Sequence, residues 1–417
     1  MLTQKISLSA ALLAGALVLP ACDGLFEVSN PGPIPDEELN TIGAMPSLVN
    51  GMSADLAFAL SEVIQTLSIL SDDLYHGGSY TAEGLYNRGV VRPEDVDGDW
   101  GDMHRARWVA EDGIRRMKEV MGAEFDRSPL AARAYLYAGF SNRLLGENVC
   151  TAVFDRGPGQ DHKEHFKRAE GHFSEALRIA TAINNTTLRN AALGGRASVR
   201  AYQGKWSEAV QDAALVPTSF TYNALYSLNT SRENNDLVFE TYSRREYTVF
   251  STQWARVFRD PRVPWDTVKQ ANGQPQRGQD GRTPFFQQRK YQSLDSDIPL
   301  TKGTEMLMLR AEAALRASDI AGATALINQQ RAAYGLAALP APANTDAAWR
   351  TLQKERGAVL WLEARRFGDL RRWYAEGLRQ FMQEPGDPRL AVWGTRAQCI
   401  PVSDEERRTN PNFRNQS

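Results

Sequence analysis

The chain has 417 residues, 42% of them hydrophobic and 24% charged, an ordinary globular composition with enough apolar material for a large core. That composition excludes a fibrous or intrinsically disordered chain. A formal net charge of -2 supplies no electrostatic footprint for nucleic acid, so no nucleic-acid partner is expected.

Residues 1–21 place Lys5 ahead of a short apolar run, Leu8 to Leu19, and end in Leu-Pro-Ala directly before Cys22. This is the pattern of a signal peptide. The apolar run is too short for a spanning helix, which needs about 20 residues. Small residues leading into a cysteine resemble a bacterial lipobox, which would make Cys22 the lipid attachment point, carrying palmitate or a similar acyl chain. An ordinary secretory leader that happens to contain a cysteine is the alternative. No other stretch reads as long and apolar enough to cross a bilayer, so lipid is the expected membrane attachment. Cys150 and Cys399 remain in the mature body, where an oxidising compartment permits a disulfide. Such a bond closes a loop of about 250 residues, worth roughly 5 kcal/mol in the chain-entropy model. Two separate buried thiols are the alternative.

Residues 22–40, rich in Pro, Gly, Asn and acids, read as an extended tether, followed by a single domain over 41–417. Apolar residues at helical spacing predict helices around 41–70, 100–121, 129–146, 162–182, 188–203 and 206–214. GHFSEA at 171–176 recurs as GKWSEA at 204–209, an offset of 33 residues, close to the 34 of a tetratricopeptide repeat. SDIAGA at 318–323 continues the pattern with Ile320 and Ala323 and predicts a third helix pair. Two inserts interrupt this mainly α scaffold, about 72–101 and 217–300, and LVFETYSRREYTVFS at 237–251 within the second alternates like a strand. Long loops on a rigid frame are where binding concentrates.

His162, His165 and His172 recur on one helical face, but without a cysteine or HExxH frame they read as a polar face, and no metal or cofactor is expected. GxSxG, Walker and GxGxxG motifs are absent. ERGAVLWLEARRFGDLRRW, residues 355–373, sets Glu355, Glu363, Arg365, Arg366, Asp369 and Arg372 among apolar residues. On a helix or helix-turn-helix, Glu363 with Arg366, Arg365 with Asp369, and Asp369 with Arg372 stand three or four residues apart and can pair locally. Arginine stays charged and transfers protons poorly, while its planar fork suits carboxylates, so the segment reads as architecture.

EMLMLRAEAALRASDIAGATALINQQRAAYGL followed by ERGAVLWLEARRFGDLRRW resembles the C-terminal signature of SusD/RagB-family outer-membrane lipoproteins. Glu312, Ile327, Asn328, Arg331, Glu355, Arg356, Glu363, Arg366, Asp369 and Leu370 stand in the family's order, with Ala364 where the family usually has Gly. CDGLFEVSNPGP, SDDLY, the Trp100 helix, DPRV at 260–263, RKY at 289–291 and CIPVSDEERRTNPNF extend the likeness along most of the chain. The resemblance implies a tetratricopeptide-like scaffold with little β structure, anchored by lipid and exposed at the cell surface. It also implies a lid over a SusC-like TonB-dependent transporter that captures glycans, oligosaccharides or peptides without altering them.

Ligand contacts are expected from loop aromatics and their polar neighbours: Asp72, Asp73, Tyr75, Tyr80, Tyr86, Asn87 and Arg88 in the first insert, and Trp265 and Tyr291 in the second. An aromatic face covers the apolar side of a sugar ring while charged groups bond its hydroxyl rim. Trp100 and Trp108, spaced with His104 at helical intervals, are assigned to scaffold burial. Two other functions compete: a lipid-anchored scaffold that binds only envelope proteins, and a secreted glycan hydrolase, whose carboxylates need no local motif.

Overall fold

The computed structural model describes residues 36–256, 259–384 and 387–413. The leader, Cys22 and the tether as far as residue 35 lie outside the described residues. Two compact units separate: Met1–Leu39, in which Asp36–Leu39 forms a 3-10 turn, and Asn40–Ser417.

In the second unit helices dominate from the start: Met45–Leu70 (α1), Thr81–Tyr86 (α2), Asp97–Met121 (α3), Pro129–Asn148 (α4), Lys163–Ala182 (α5), Thr186–Tyr202 (α6) and Trp206–Ala214 (α7). Local chemistry sets several ends. Ser128 Oγ accepts from the Leu130 N–H with Pro129 at the first helical position, and the Asn185 side chain accepts from the Leu188 N–H. Neighbours α3 to α4, α4 to α5, α5 to α6 and α6 to α7 pack successively. Glycine makes this approach close: a Cβ on Gly139 of α4 or Gly195 of α6 would sit 2.7 or 2.4 Å from the Phe173 ring of α5, and one on Gly146 would sit 2.7 Å from Phe166. Aromatic rings of α5 therefore fill grooves that only a missing side chain leaves open.

The hexapeptide repeat does not mark equivalent places. GKWSEA opens α7 after Gly204, which turns with φ +77, whereas GHFSEA lies in the middle of α5, where Gly171 is helical. What the copies share is burial of Ala176 and Ala209. The third helix pair is present as Gly303–Arg316 (α10) and Ile320–Ala333 (α11), ahead of Thr345–Val359 (α12) and Arg366–Ala375 (α13). The membrane reading also needs correction: the helical stretch Ile42–Leu70 has the length and hydropathy of a spanning segment. Here it is a core helix, with Val49, Met52, Val63, Ile64 and Ile69 sealed from solvent.

Among the described residues the strands form two-stranded antiparallel pairs, beside a few isolated bridges such as the parallel Val149–Ile400. Tyr75–His76 (β1) pairs with Tyr247–Thr248 (β5), Thr151–Ala152 (β2) with Gln160–Asp161 (β3), Thr221–Ala224 (β4) with Ile298–Lys302 (β8), and Trp265–Thr267 (β6) with Phe286–Gln288 (β7). The strand expected over 237–251 is mostly helical: Asp236–Val238 (α8) runs into a π-helical turn, Phe239–Arg244, and only Tyr247–Thr248 pairs. Consecutive Leu237 and Val238 are both buried, and Thr241 Oγ donates back to Leu237 O at 2.6 Å, a four-residue spacing that no strand provides. A short helix Gln253–Arg256 (α9) and, near the end, Pro388–Ala391 (α14) and Asp404–Thr409 (α15) complete the order. Cys150 and Cys399 are joined as a disulfide with Cα atoms 5.0 Å apart. Beside it Cys150 N donates to Ile400 O and Ile400 N to Asn148 O, both at 2.8 Å, tying the end of α4 to the C-terminal segment.

The charged segment 355–373 forms a helix-turn-helix in the interior, and its pairing differs from the local scheme. Of the three local pairs, only Asp369 with Arg372 forms, at 3.4 Å. Leu362 and Ala364 adopt left-handed φ of 54 and 57 between α12 and α13, which breaks the helical spacing Glu363 needed to meet Arg366; Arg365 and Asp369 stay one turn apart, the Asp369 N–H donating to Arg365 O at 3.0 Å, but their side chains take other partners. Distant elements supply the partners instead. Glu355 takes Arg262 and Arg331, each at 2.8 Å; Glu363 takes Lys290 and Lys302; Arg365 takes Glu147 at 3.0 Å and Glu305 at 2.8 Å. Arg366 reaches Asp72 at 2.8 Å, Arg372 reaches Glu312 at 2.6 Å, and Asp369 accepts from Arg356 at 2.7 Å. Burial works to raise the Glu312 carboxyl, but Arg372, Arg316 and Arg356 together outweigh burial and hold the group at about 2. The arginines act as rivets between helix pairs.

Candidate ligand-binding site

The first insert leaves α1 through a buried turn, forms β1 and crosses Gly77 and Gly78. A Cβ on Gly78 would collide with the Glu246 carboxylate, 1.7 Å from Oε2. Its absence lets the Ser79 N–H donate to Glu246 Oε2 at 2.6 Å and the Ser79 hydroxyl to Oε1 at 2.9 Å. Asn87 clamps the far side, accepting from the His76 N–H at 3.0 Å and donating to His76 O at 2.8 Å. These bonds set α2 against α1.

Between α1, α2 and the start of α3 opens a cavity of about 290 Å³ lined by Glu62, Thr66, Tyr80, Glu83, Tyr86, Asp95, Asp99 and Asp102, with no lysine or arginine in its wall. Burial, then Asp236, Asp99 and Asp102, pushes the Glu62 carboxyl up to about 8. Glu83 is likewise raised to about 8, by burial against the opposing Tyr247 hydrogen bond, and Asp99 to about 6, by burial against the Thr66 hydrogen bond. The hydrogen bonding fits a protonated Glu83. Tyr247 Oη lies 2.9 Å from Gln65 Oε1 and 2.8 Å from Glu83 Oε1, yet has one proton. Gln65 Nε2 is committed to Asp236 at 2.7 Å, so Gln65 Oε1 accepts from Tyr247, and Glu83 donates to Tyr247. At neutral pH the wall therefore offers carboxylic acid donors as well as carboxylate acceptors. Tyr80 sits at the mouth, its hydroxyl donating to Glu240 at 3.3 Å and its ring 5.0 Å from the Arg244 guanidinium.

The expected ligand residues fall into two groups. Tyr80 lines the cavity, Tyr75 is half-buried with the Arg389 guanidinium 5.9 Å from its ring, Asn87 serves the backbone clamp, and Arg88 is exposed. Asp72, Asp73, Trp265 and Tyr291 are interior and have no open surface for a ligand. Asp72 accepts from Arg366 and Gln253, and Asp73 accepts from the Leu362 N–H at 3.4 Å. Trp265 stacks on Phe286 with ring centroids 4.9 Å apart, and the Tyr291 hydroxyl donates to Leu362 O at 3.1 Å. Tyr86 is 2% exposed, and its hydroxyl donates to Asp95 O at 3.0 Å, so it contributes wall rather than platform.

A search for loop aromatics passes over Glu62, Glu83, Asp95, Asp99 and Asp102. The acid-rich run PEDVDGDWGD at 93–102 was the visible signal. Trp108 also departs from expectation: Trp100 is buried, but Trp108 is 51% exposed. Each four-residue step on a helix advances about 40° beyond a full turn, so two steps carry Trp108 off the buried face. The histidines serve separate partners: His162 Nδ1 lies 2.8 Å from Gly146 O, His165 Nδ1 3.0 Å from Asn142, and His172 Nε2 3.2 Å from Glu111.

Residues 283–415 match the sequence profile of the SusD family. No curated protein sequence matches the chain significantly. Among solved structures, the fold is similar to a SusD superfamily protein from Bacteroides vulgatus, with TM-score 0.68, 14% identity, and coverage of 89% of this chain and 97% of that one. B. fragilis NanU aligns with TM-score 0.65 at 14% identity over 89% of this chain and 95% of its own. A laminarin-binding SusD-like protein aligns with TM-score 0.58 at 14% identity over 88% and 98%. Residues 283–415 thus carry the SusD-family profile, and the fold of the chain is similar to that of solved SusD superfamily structures.

Proposed function

We propose that the protein is a surface-exposed outer-membrane lipoprotein, anchored through Cys22, whose single domain over 41–417 captures a glycan or oligosaccharide and hands it unaltered to a SusC-like TonB-dependent transporter. One observation carries the binding reading: a cavity walled by carboxyl groups and Tyr80, without a cationic side chain, held on a frame of ion-paired helices. Paired donors and acceptors suit sugar hydroxyls, and the missing cations favour neutral or amine-bearing ligands over anionic ones. The laminarin-binding relative supports a saccharide over a peptide.

Calorimetry of the soluble mature chain against neutral, amino-bearing and uronated oligosaccharides and short peptides tests this. Binding to the first two classes, weakened at least tenfold by Tyr80→Ala and by Asp99→Asn in variants that melt normally, is the expected result. Unchanged affinity in both variants rejects the cavity, and release of shortened products from the same panel favours the hydrolase reading. Co-purification of a TonB-dependent transporter from membranes tests delivery.

A further inference from the structure

A second, smaller cavity of about 110 Å³ opens elsewhere in the scaffold, between the end of α4, the start of α5, the end of α6 and α13. Gly146, His162, Lys163, Phe166, Tyr202 and Arg371 line it. The carboxylates on its wall are committed: Glu147 pairs with Arg365 at 3.0 Å and Glu376 with Arg316. Arg372, also on the wall, is bidentate on Glu312.

Arg371 differs from the other guanidiniums of its segment. Arg356, Arg365, Arg366 and Arg372 meet carboxylates at 2.7, 3.0, 2.8 and 2.6 Å. Arg371 donates only to carbonyl oxygens, Val149 O at 2.8 Å and Glu147 O at 3.5 Å, and among the described residues no carboxylate lies within ion-pair distance. Burial lowers it to about 10, a direction that a paired carboxylate would oppose, with only Tyr202 and Asp161 acting against it. His162 stands nearby with Nδ1 directed at Gly146 O and Nε2 3.9 Å from Asp161, and Lys163 brings a further charge to the exposed rim. A mostly buried guanidinium with no carboxylate in contact, beside an open space, is a receptor for an anion.

We propose that this cavity binds a compact oxyanion, a carboxylate, sulfate or phosphate group, with Arg371 as its principal donor, Lys163 adding attraction at the rim, and Phe166 and Tyr202 forming the walls. Water occupies roughly 30 Å³ per molecule in the liquid, so the space accepts a charged group and not an oligosaccharide. Such a group can arrive free or carried on a glycan. The site is independent of the acidic cavity, whose charge repels anions.

Calorimetry and thermal melts of the soluble mature chain at constant ionic strength, balanced with chloride, test the proposal. The probes are inorganic sulfate, inorganic phosphate and a disaccharide bearing glucuronate. Saturable binding with a raised melting temperature is expected for at least one probe, weakened at least tenfold by Arg371→Gln and less by Arg371→Lys. Binding by the disaccharide alone assigns a glycan-borne acid; binding by sulfate or phosphate assigns a free anion. Equal affinity in Arg371→Gln, or no saturable binding to any probe, overturns the proposal. Should Arg371→Gln fail to fold, Arg371→Lys takes its place, and affinity equal to the wild type there overturns the proposal.

Discussion

Replacing Asp369 with alanine tests the architectural role of the charged segment most directly. Asp369 is 2% exposed and accepts from Arg356 Nε at 2.7 Å, Tyr202 Oη at 3.2 Å and Arg372 Nη2 at 3.4 Å. Removal leaves Arg372 on Glu312 but takes from Arg356 the one carboxylate within ion-pair distance of it among the described residues. Stranding one partner of a buried pair costs about 3–5 kcal/mol, and the lost tyrosine hydrogen bond adds about 1 kcal/mol. Asp369→Ala should therefore lower stability by roughly 5 kcal/mol, a few thousandfold in the folded-to-unfolded ratio. Urea unfolding followed by tryptophan fluorescence measures this, since Trp254, Trp361, Trp373 and Trp393 are all sealed from solvent. The double variant Arg356→Met with Asp369→Leu removes both partners and should cost far less than the sum of the singles, because Glu305 keeps Arg365 at 2.8 Å. A single variant within about 1 kcal/mol of the wild type, below the range for a broken buried pair, would falsify the framework reading, especially if ligand binding were lost.

The acidic cavity predicts a stability profile with two slopes. Glu62 and Glu83, raised to about 8, contribute stability that is fully present below their ordinary 4.5 and lost as pH rises through 8. Glu83→Gln should flatten the decline between pH 5 and 8 in urea midpoints, and an unchanged slope counts against a protonated Glu83. Glu312, held at about 2, acts oppositely: its contribution is present above 4.5 and lost as pH falls through 2. Helix packing predicts opposite signs for two glycines. Gly195→Ala forces a Cβ to 2.4 Å from Phe173 and should destabilise by about 1–3 kcal/mol, while Gly171→Ala meets nothing within 4 Å and should stabilise by up to about 1 kcal/mol. Matching signs in thermal melts would show that α5 and α6 do not meet through that ring. Cys22→Ser should release the mature protein from membranes, and retention after complete leader cleavage would remove the lipid anchor; protease shaving of intact cells reads surface exposure.

What the sequence determined by itself was everything carried by short-range periodicity. Helices from α3 to α7 start and end within a few residues of their apolar spacing, because capping residues and a buried stripe act over one or two turns. The order of charged residues from Glu312 to Leu370 was equally legible as a family signature. Partner choice was not. Arg366 finds Asp72 across more than two hundred residues of chain once Ala364 breaks its helical spacing to Glu363, and Arg365 finds Glu147 at similar range although Asp369 stands one helical turn away. The sequence also left Cys150 and Cys399 open to either state, and the tertiary fold brings them together. At the candidate site the same limit applies. An aromatic in an insert looks alike whether it stacks inside, as Trp265 does on Phe286, or stands at a cavity mouth, as Tyr80 does. Only the packing of α1, α2 and α3 sets Glu62 beside Glu83 and Asp99, and burial there, not residue type, is the largest cause raising those carboxyl groups.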